Sequence, residues 1–162
     1  MIKTNVMRLL DAAGIAYTPY EYSYSEDDLS GMHIVSQIGL PAEQVFKTLV
    51  TVGDKTGPVV FCIAVCDELD LKKAAKVSGN KKVEMLHVKE LLGKTGYIRG
   101  GCSPIGMKKK FPTFIDETAI LFDRITVSAG VRGCQLLIDR AALADYVGAT
   151  LCDLTKADDG GA

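Results

Sequence analysis

The chain has 162 residues, 48% of them hydrophobic and 24% charged, with a formal net charge of −1. That length suits one compact domain, and the hydrophobic share excludes a disordered chain. No run of 18 apolar residues occurs, which excludes a membrane-spanning helix, and Lys3, Arg8 and Asp11 leave no apolar signal core at the N-terminus, so the expected compartment is the cytoplasm.

The first predicted element is a helix over Thr4 to Ala13, capped by Thr4 or Asn5 and stopped by Gly14. Tyr17 to Tyr24 reads as extended, with Tyr20, Tyr22 and Tyr24 alternating on one face. The acidic turn Glu26-Asp27-Asp28 leads to a short helix over Gly31 to Ile38, ended by Gly39. Val45 to Val52 and Val59 to Cys66 form a predicted hairpin across Asp54-Lys55-Thr56-Gly57. A helix over Leu69 to Val77, a brief strand over Val83 to Met85 and a short helix over Val88 to Gly93 precede a glycine-rich loop from Gly96 to Gly106. Strands are predicted at Thr113 to Ile115, Ala119 to Phe122, Ile125 to Ser128 and Gln135 to Ile138. A helix over Arg140 to Val147, stopped by Gly148, and a strand over Thr150 to Leu154 complete the series. Residues 1–155 are expected to form the domain and 156–162 a disordered tail. The elements are mixed without a βαβ repeat, so the expected fold class is α/β, with a mixed, barrel-like sheet flanked by helices.

Charge is unevenly distributed. From Lys72 to Lys110 eleven basic residues face two acidic ones, a net of +9, while the other 8 basic and 18 acidic residues net −10. Such a block fits either a polyanion partner or lysine-rich faces that folding spreads through solvent. Tyr97 is the segment's only aromatic residue, so contact with phosphates suits it better than base stacking. The five cysteines are odd in number and scattered, which reads as reduced thiols. Neither His33 nor His87 has a second ligand nearby in sequence, and no metal or cofactor is expected.

Several residues invite a chemical reading. Gly101-Cys102-Ser103-Pro104-Ile105-Gly106 is followed by methionine, so it is no P-loop, and its second glycine lies one residue too far for a nucleophile elbow. What remains is either a plain turn or a loop that brings backbone N–H groups close to a ligand. Lys47 interrupts the apolar run Val45-Phe46-Lys47-Thr48-Leu49-Val50. It is either a base or anion holder in a pocket, or a lysine that snorkels to water. Ser128 reads as a pocket group or a strand end, Arg132 as an anion clamp or a surface turn, and Tyr22 as a pocket wall or a cross-strand partner.

Taken together, Val45-Phe46-Lys47-Thr48-Leu49, Leu71-Lys72-Lys73-Ala74-Ala75, Lys81-Lys82-Val83-Glu84-Met85 and Gly96-Tyr97-Ile98-Arg99-Gly100-Gly101-Cys102-Ser103-Pro104-Ile105-Gly106 resemble the YbaK/EbsC family. These are free-standing aminoacyl-tRNA deacylases, similar to the editing domain of bacterial prolyl-tRNA synthetases. The resemblance runs from the first helix to Leu154. It implies that Lys47 is the family's essential lysine and that Gly100 and Gly101 lie against the aminoacyl ester and terminal adenosine. Thr48, Ser128, Tyr22 (or Tyr20 or Tyr24) and Arg132 are the substrate-binding expectations. Cys102 stands where other members carry an aliphatic residue, and it is not read as a nucleophile. The implied substrate is Cys-tRNA(Pro), cleaved with help from the substrate's own thiol. Alternatives are Ala-tRNA(Pro) editing and a non-catalytic tRNA-binding role beside prolyl-tRNA synthetase. That synthetase is the implied partner, and a monomer is expected.

Overall fold

A computed structural model describes residues 2–157. Among the described residues there are five helices, and four of them start where a side chain satisfies an exposed N–H. In α1 (Asn5–Ala13) the Thr4 hydroxyl accepts the Met7 N–H, and Gly14 closes the helix in the left-handed region at φ 71°. Ser30 caps α2 (Gly31–Ile38), and Asp70 caps α3 (Leu71–Ser78). Next come α4 (Val88–Thr95) and α5 (Arg140–Val147), the latter capped by Asp139.

Among the described residues eight strands make two sheets. β1 (Tyr17–Glu21), β7 (Cys134–Asp139) and β6 (Arg124–Ser128) pair antiparallel in that spatial order. The second sheet runs β4-β2-β3-β5-β8. Its strands are β2 (Phe46–Gly53), β3 (Gly57–Ala64), β4 (Val83–Met85), β5 (Thr113–Asp116) and β8 (Thr150–Cys152). β2 and β3 form the expected hairpin, while β3, β5 and β8 run parallel. A parallel bridge between Val45 and Thr126 joins the two sheets. Beyond it they diverge, so the barrel-like sheet is open.

The sheets close on one core. Phe46, Val50, Val60 and Cys62 from the larger sheet meet Ile125, Val127, Leu136 and Ile138 from the smaller, with Val6 and Leu10 of α1 and Leu143 of α5. Alternate residues of β3 face the other way. Val59, Phe61 and Ile63 pack under Ala74 and Ala75 of α3, and Phe61 stacks on Phe114 at 5.5 Å. β3 is therefore buried on both faces, which explains its unbroken apolar run. Each large aliphatic side chain buried there contributes about 1.5–3 kcal/mol.

Several sequence expectations change; α3 starts at Leu71 after its Asp70 cap and not at Leu69, and β8 ends at Cys152 and not at Leu154. Ala119 to Phe122 is no strand: a 3-10 helix occupies Glu117–Leu121. The Asp116 carboxylate accepts both the N–H and the hydroxyl of Thr118, turning the chain and leaving Ile120 and Leu121 exposed. The extended segment at Tyr17 ends at Glu21, although the Tyr22 N–H still donates to Gly133 O at 2.9 Å. α4 runs two residues past Gly93, where the Thr95 hydroxyl donates to Leu91 O. Of the expected tail, Lys156 donates its N–H to Glu68 O, and residues 158–162 lie outside the described residues. Among the described residues no helix is long and apolar enough to cross a membrane.

Candidate active site

The divergence of the sheets creates a cavity of about 480 Å³, a size that suits a small organic ligand. From the Val45–Thr126 bridge to Val50, β2 is paired with β3 on one side only. On its other side β4 reaches no further than Thr51, with one more hydrogen bond from Leu86 N–H to Val50 O. The cavity fills this gap, walled by α2 through Gly31, Met32 and Ile34 and by α4 through Val88 and Leu91. In an antiparallel pair successive residues turn their backbone groups to opposite sides. Val45 O accepts from Val65 on the β3 side, whereas Val50 O faces β4. By that alternation the N–H and C=O of Thr48 face the gap.

Lys47 lines the cavity and is half-buried. Its ammonium donates to Val65 O at 3.5 Å and forms no ion pair among the described residues. A half-buried cation without a counter-charge suits a ligand oxygen that is negative or becomes so. Thr48 lines the same wall, its hydroxyl 3.8 Å from Cys62 Sγ. Ser128 enters from β6, and its hydroxyl accepts the Gly130 N–H at 3.1 Å.

Gly100 also lines the cavity, in the left-handed region at φ 87°. Gly101 does not. It is buried where the loop crosses the chain at Val131 and Arg132, and a Cβ there would lie 3.0 Å from Arg132 N. Its N–H closes a turn onto Ile98 O. In this structure Gly101 therefore shapes the loop that presents Gly100, with its own N–H engaged. Arg132 likewise stands behind the wall, its Nε donating to Arg99 O at 2.8 Å and its guanidinium 3.8 Å from Glu26. Arg99 itself reaches the mouth.

None of Tyr20, Tyr22 and Tyr24 lines the cavity. Tyr22 stands one step back, beside Gln135. The Gln135 side chain, 4% exposed, lines the cavity, accepts the Thr126 hydroxyl at 3.1 Å and hydrogen-bonds Tyr22. Burial raises the Tyr22 phenol, and the Gly133 and Gln135 hydrogen bonds oppose that rise. Sequence reasoning missed Gln135. Its signal was the one that exposed Lys47, a long polar side chain inside an apolar strand.

The thiols are poor nucleophiles. Burial pushes Cys102, on the cavity wall, up to about 12, and Cys62 behind it also to about 12. Both are protonated at neutral pH, whereas attack requires the thiolate. Among the described residues no group of three or more His, Cys, Asp and Glu side chains is placed to hold a metal.

A mixed α/β scaffold thus presents a cleft whose polar groups include Lys47, Arg99, Gln135 and the hydroxyls of Thr48 and Ser128. Residues 33–146 match the aminoacyl-tRNA editing domain, and the chain belongs to that family. A relative from Enterococcus faecalis (strain ATCC 700802 / V583), EbsC, carries the name of a candidate Cys-tRNA(Pro)/Cys-tRNA(Cys) deacylase. It is 52% identical over 153 residues, covering 94% of this chain and 93% of its own. Among solved structures, a candidate trans-editing enzyme for prolyl tRNA synthetase aligns with TM-score 0.83 at 22% identity, over 97% of this chain and 100% of that one. A hypothetical protein aligns with TM-score 0.84 at 17% identity, over 93% and 99%. At those identities the two structures establish the fold.

Proposed function

We propose that the protein is an aminoacyl-tRNA deacylase, that Cys-tRNA(Pro) is its substrate, and that the gap beside β2 holds the aminoacyl ester. One observation carries this reading: the unpaired Lys47 ammonium inside a cavity of a chain 52% identical to the EbsC relative. The substrate's thiol sulfur attacks the ester carbonyl carbon. The bond to the 3′ oxygen breaks, the thiol proton passes to that oxygen, and a cyclic thioester leaves. Lys47 stabilises the charge developing on the carbonyl oxygen, and Gly100 lets the loop approach the ester closely. Ser128 and Gln135, the latter oriented by Tyr22 and Thr126, hold the amino acid so that its thiol stays near the carbonyl. Thr48 contributes through its backbone groups, and Gly101 and Arg132 fix the loop. Amino acids that lack a thiol lack the nucleophile, which supplies selectivity. Prolyl-tRNA synthetase is the partner this reading calls for, because it charges the tRNA to be corrected.

The test is release of labelled amino acid from Cys-tRNA(Pro) and Ala-tRNA(Pro), by wild type and Lys47→Ala. The expected result is loss of cysteine alone, slowed about 100-fold by the substitution, the usual effect of removing one oxyanion donor. Loss of alanine would reassign the substrate. Release of neither would leave a tRNA-binding module without turnover.

A further inference from the structure

The basic block divides between the two sides of the larger sheet. Lys72 and Lys76 lie on α3, which packs on the Val59, Phe61 and Ile63 face, while Lys73 and Lys82 are already paired with Asp153 and Glu84. Residues 89–110 hold six basic residues against the single acid Glu90. They belong to α4, the glycine loop and the segment 107–111 that follows it, whose Leu91, Tyr97, Met107 and Phe111 pack on the opposite core.

On that side a second cavity, of about 190 Å³, opens between the end of the loop and α5, lined by Lys109, Lys110, Phe111 and Tyr146. Lys109 and Lys110 are exposed and form no ion pair among the described residues. Gly148, the α5 C-cap, leaves space for the Lys110 ammonium, which lies 3.5 Å from where a Cβ would stand. No basic residue of α5 occupies that last turn, so Lys110 brings a cation to the carbonyl end of the helix, where one is favoured. Tyr146 offers a partly exposed aromatic face.

One loop floors both cavities. Gly100 and Cys102 line the first, Pro104 and Gly106 the second. Six residues span at most about 20 Å, which a strand advancing about 3.4 Å per nucleotide crosses in about six nucleotides. We propose that the cavity beside Lys109, Lys110 and Tyr146 is a phosphate-binding subsite for the acceptor arm of the tRNA whose 3′ end occupies the Lys47 cavity. This rests on the editing reading and extends it. The two lysines contact backbone phosphates and Tyr146 packs on a sugar or base, so the subsite contributes affinity without reading sequence.

The test compares two charge reversals of equal size: Lys109→Glu with Lys110→Glu, and Lys72→Glu with Lys76→Glu. Binding of uncharged tRNA is measured by fluorescence anisotropy across a salt series. The loop pair is expected to weaken binding at least tenfold and to lower the log–log salt slope by about 2, at about 0.9 per phosphate contact. The α3 pair should stay within twofold of wild type. Equal weakening by both pairs, or by neither, overturns the subsite. The Lys109→Ala, Lys110→Ala pair should give the same order with a smaller loss, which guards against misfolding of the reversed pair. In deacylation, the loop pair should raise KM for whole Cys-tRNA(Pro) at unchanged kcat and leave turnover of a short cysteinylated 3′ oligonucleotide unaltered. If wild type deacylates neither substrate but the binding difference appears, the subsite stands and the deacylase reading fails. If wild type deacylates and the binding difference is absent, the subsite alone falls.

Discussion

β2 and β3 are paired residue for residue from Phe46–Ala64 to Gly53–Gly57, yet they carry opposite chemistry. β3 has strand neighbours on both edges and side chains packed on both faces, and Val59 to Ile63 are wholly buried. Every polar substitution there would strand a group away from water. β2 has the same hairpin partner but loses its other neighbour between the Val45 bridge and Val50. Polar groups are tolerated along that stretch because the gap, not another strand, receives them. Lys47 and Thr48 sit in it, and buried Gln135 reaches it from the facing sheet. The difference teaches that edge pairing, more than composition, decides which apolar strand of this fold can hold chemistry.

Four substitutions or titrations would break or sharpen that contrast. Phe61→Ala, in the strand covered on both faces, should lower unfolding stability by about 3–5 kcal/mol, while activity per folded molecule is retained; urea melts paired with deacylation rates measure both. Lys47→Ala, two pairing registers away opposite Ile63, should do the reverse. Turnover falls about 100-fold, about 2.7 kcal/mol of barrier, with unfolding stability within about 1 kcal/mol of wild type. A Lys47→Ala protein that melts as early as Phe61→Ala would erase the distinction between the strands.

The third test concerns pH. Cys62 and Cys102 have folded values near 12 against an ordinary 9.0. Their contribution is fully present below pH 9 and is lost as pH rises from 9 towards 12, by about 1.4 kcal/mol per pH unit per thiol. Urea melts at pH 8, 9 and 10 should show this fall, and Cys102→Ala should make it shallower. Smallest is Gln135→Leu, which leaves the Thr126 hydroxyl and Tyr22 without that partner. Losing about 1 kcal/mol of hydrogen bonding should slow deacylation roughly fivefold, and Gln135→Glu should restore part of it.

Local chemistry was legible where a few neighbouring residues decide it. Gly14 and Gly148 stop their helices as read, Thr4 is the cap of the two residues offered, and the short helix read at about Gly31 to Ile38 stands there. Lys47 stood out because it interrupts an apolar strand, although a lysine that snorkels to water would look the same in sequence. The strand expected at Ala119 failed because its apolar side chains suggest burial, whereas the Asp116 carboxylate captures Thr118 first. The open edge of β2 was illegible, since it depends on how far β4 extends. Gln135 was overlooked because its partners Thr126 and Tyr22 lie on two other segments. Tyr22 was read as a pocket wall or cross-strand partner and Arg132 as an anion clamp or surface turn, but each stands one hydrogen bond behind the wall, a distinction that side-chain packing makes and sequence spacing does not.

The unpaired stretch of β2 has a consequence for self-association. An exposed strand edge is a template on which another chain can continue the sheet. Here the edge is recessed between α2 and α4, so a slender chain terminus can reach it but a second strand, which needs several consecutive residues alongside, cannot lie down. Widening the mouth to admit larger ligands, by trimming Met32 or Val88, would also uncover that template. The two flanking helices therefore guard the open edge as well as shaping the cleft.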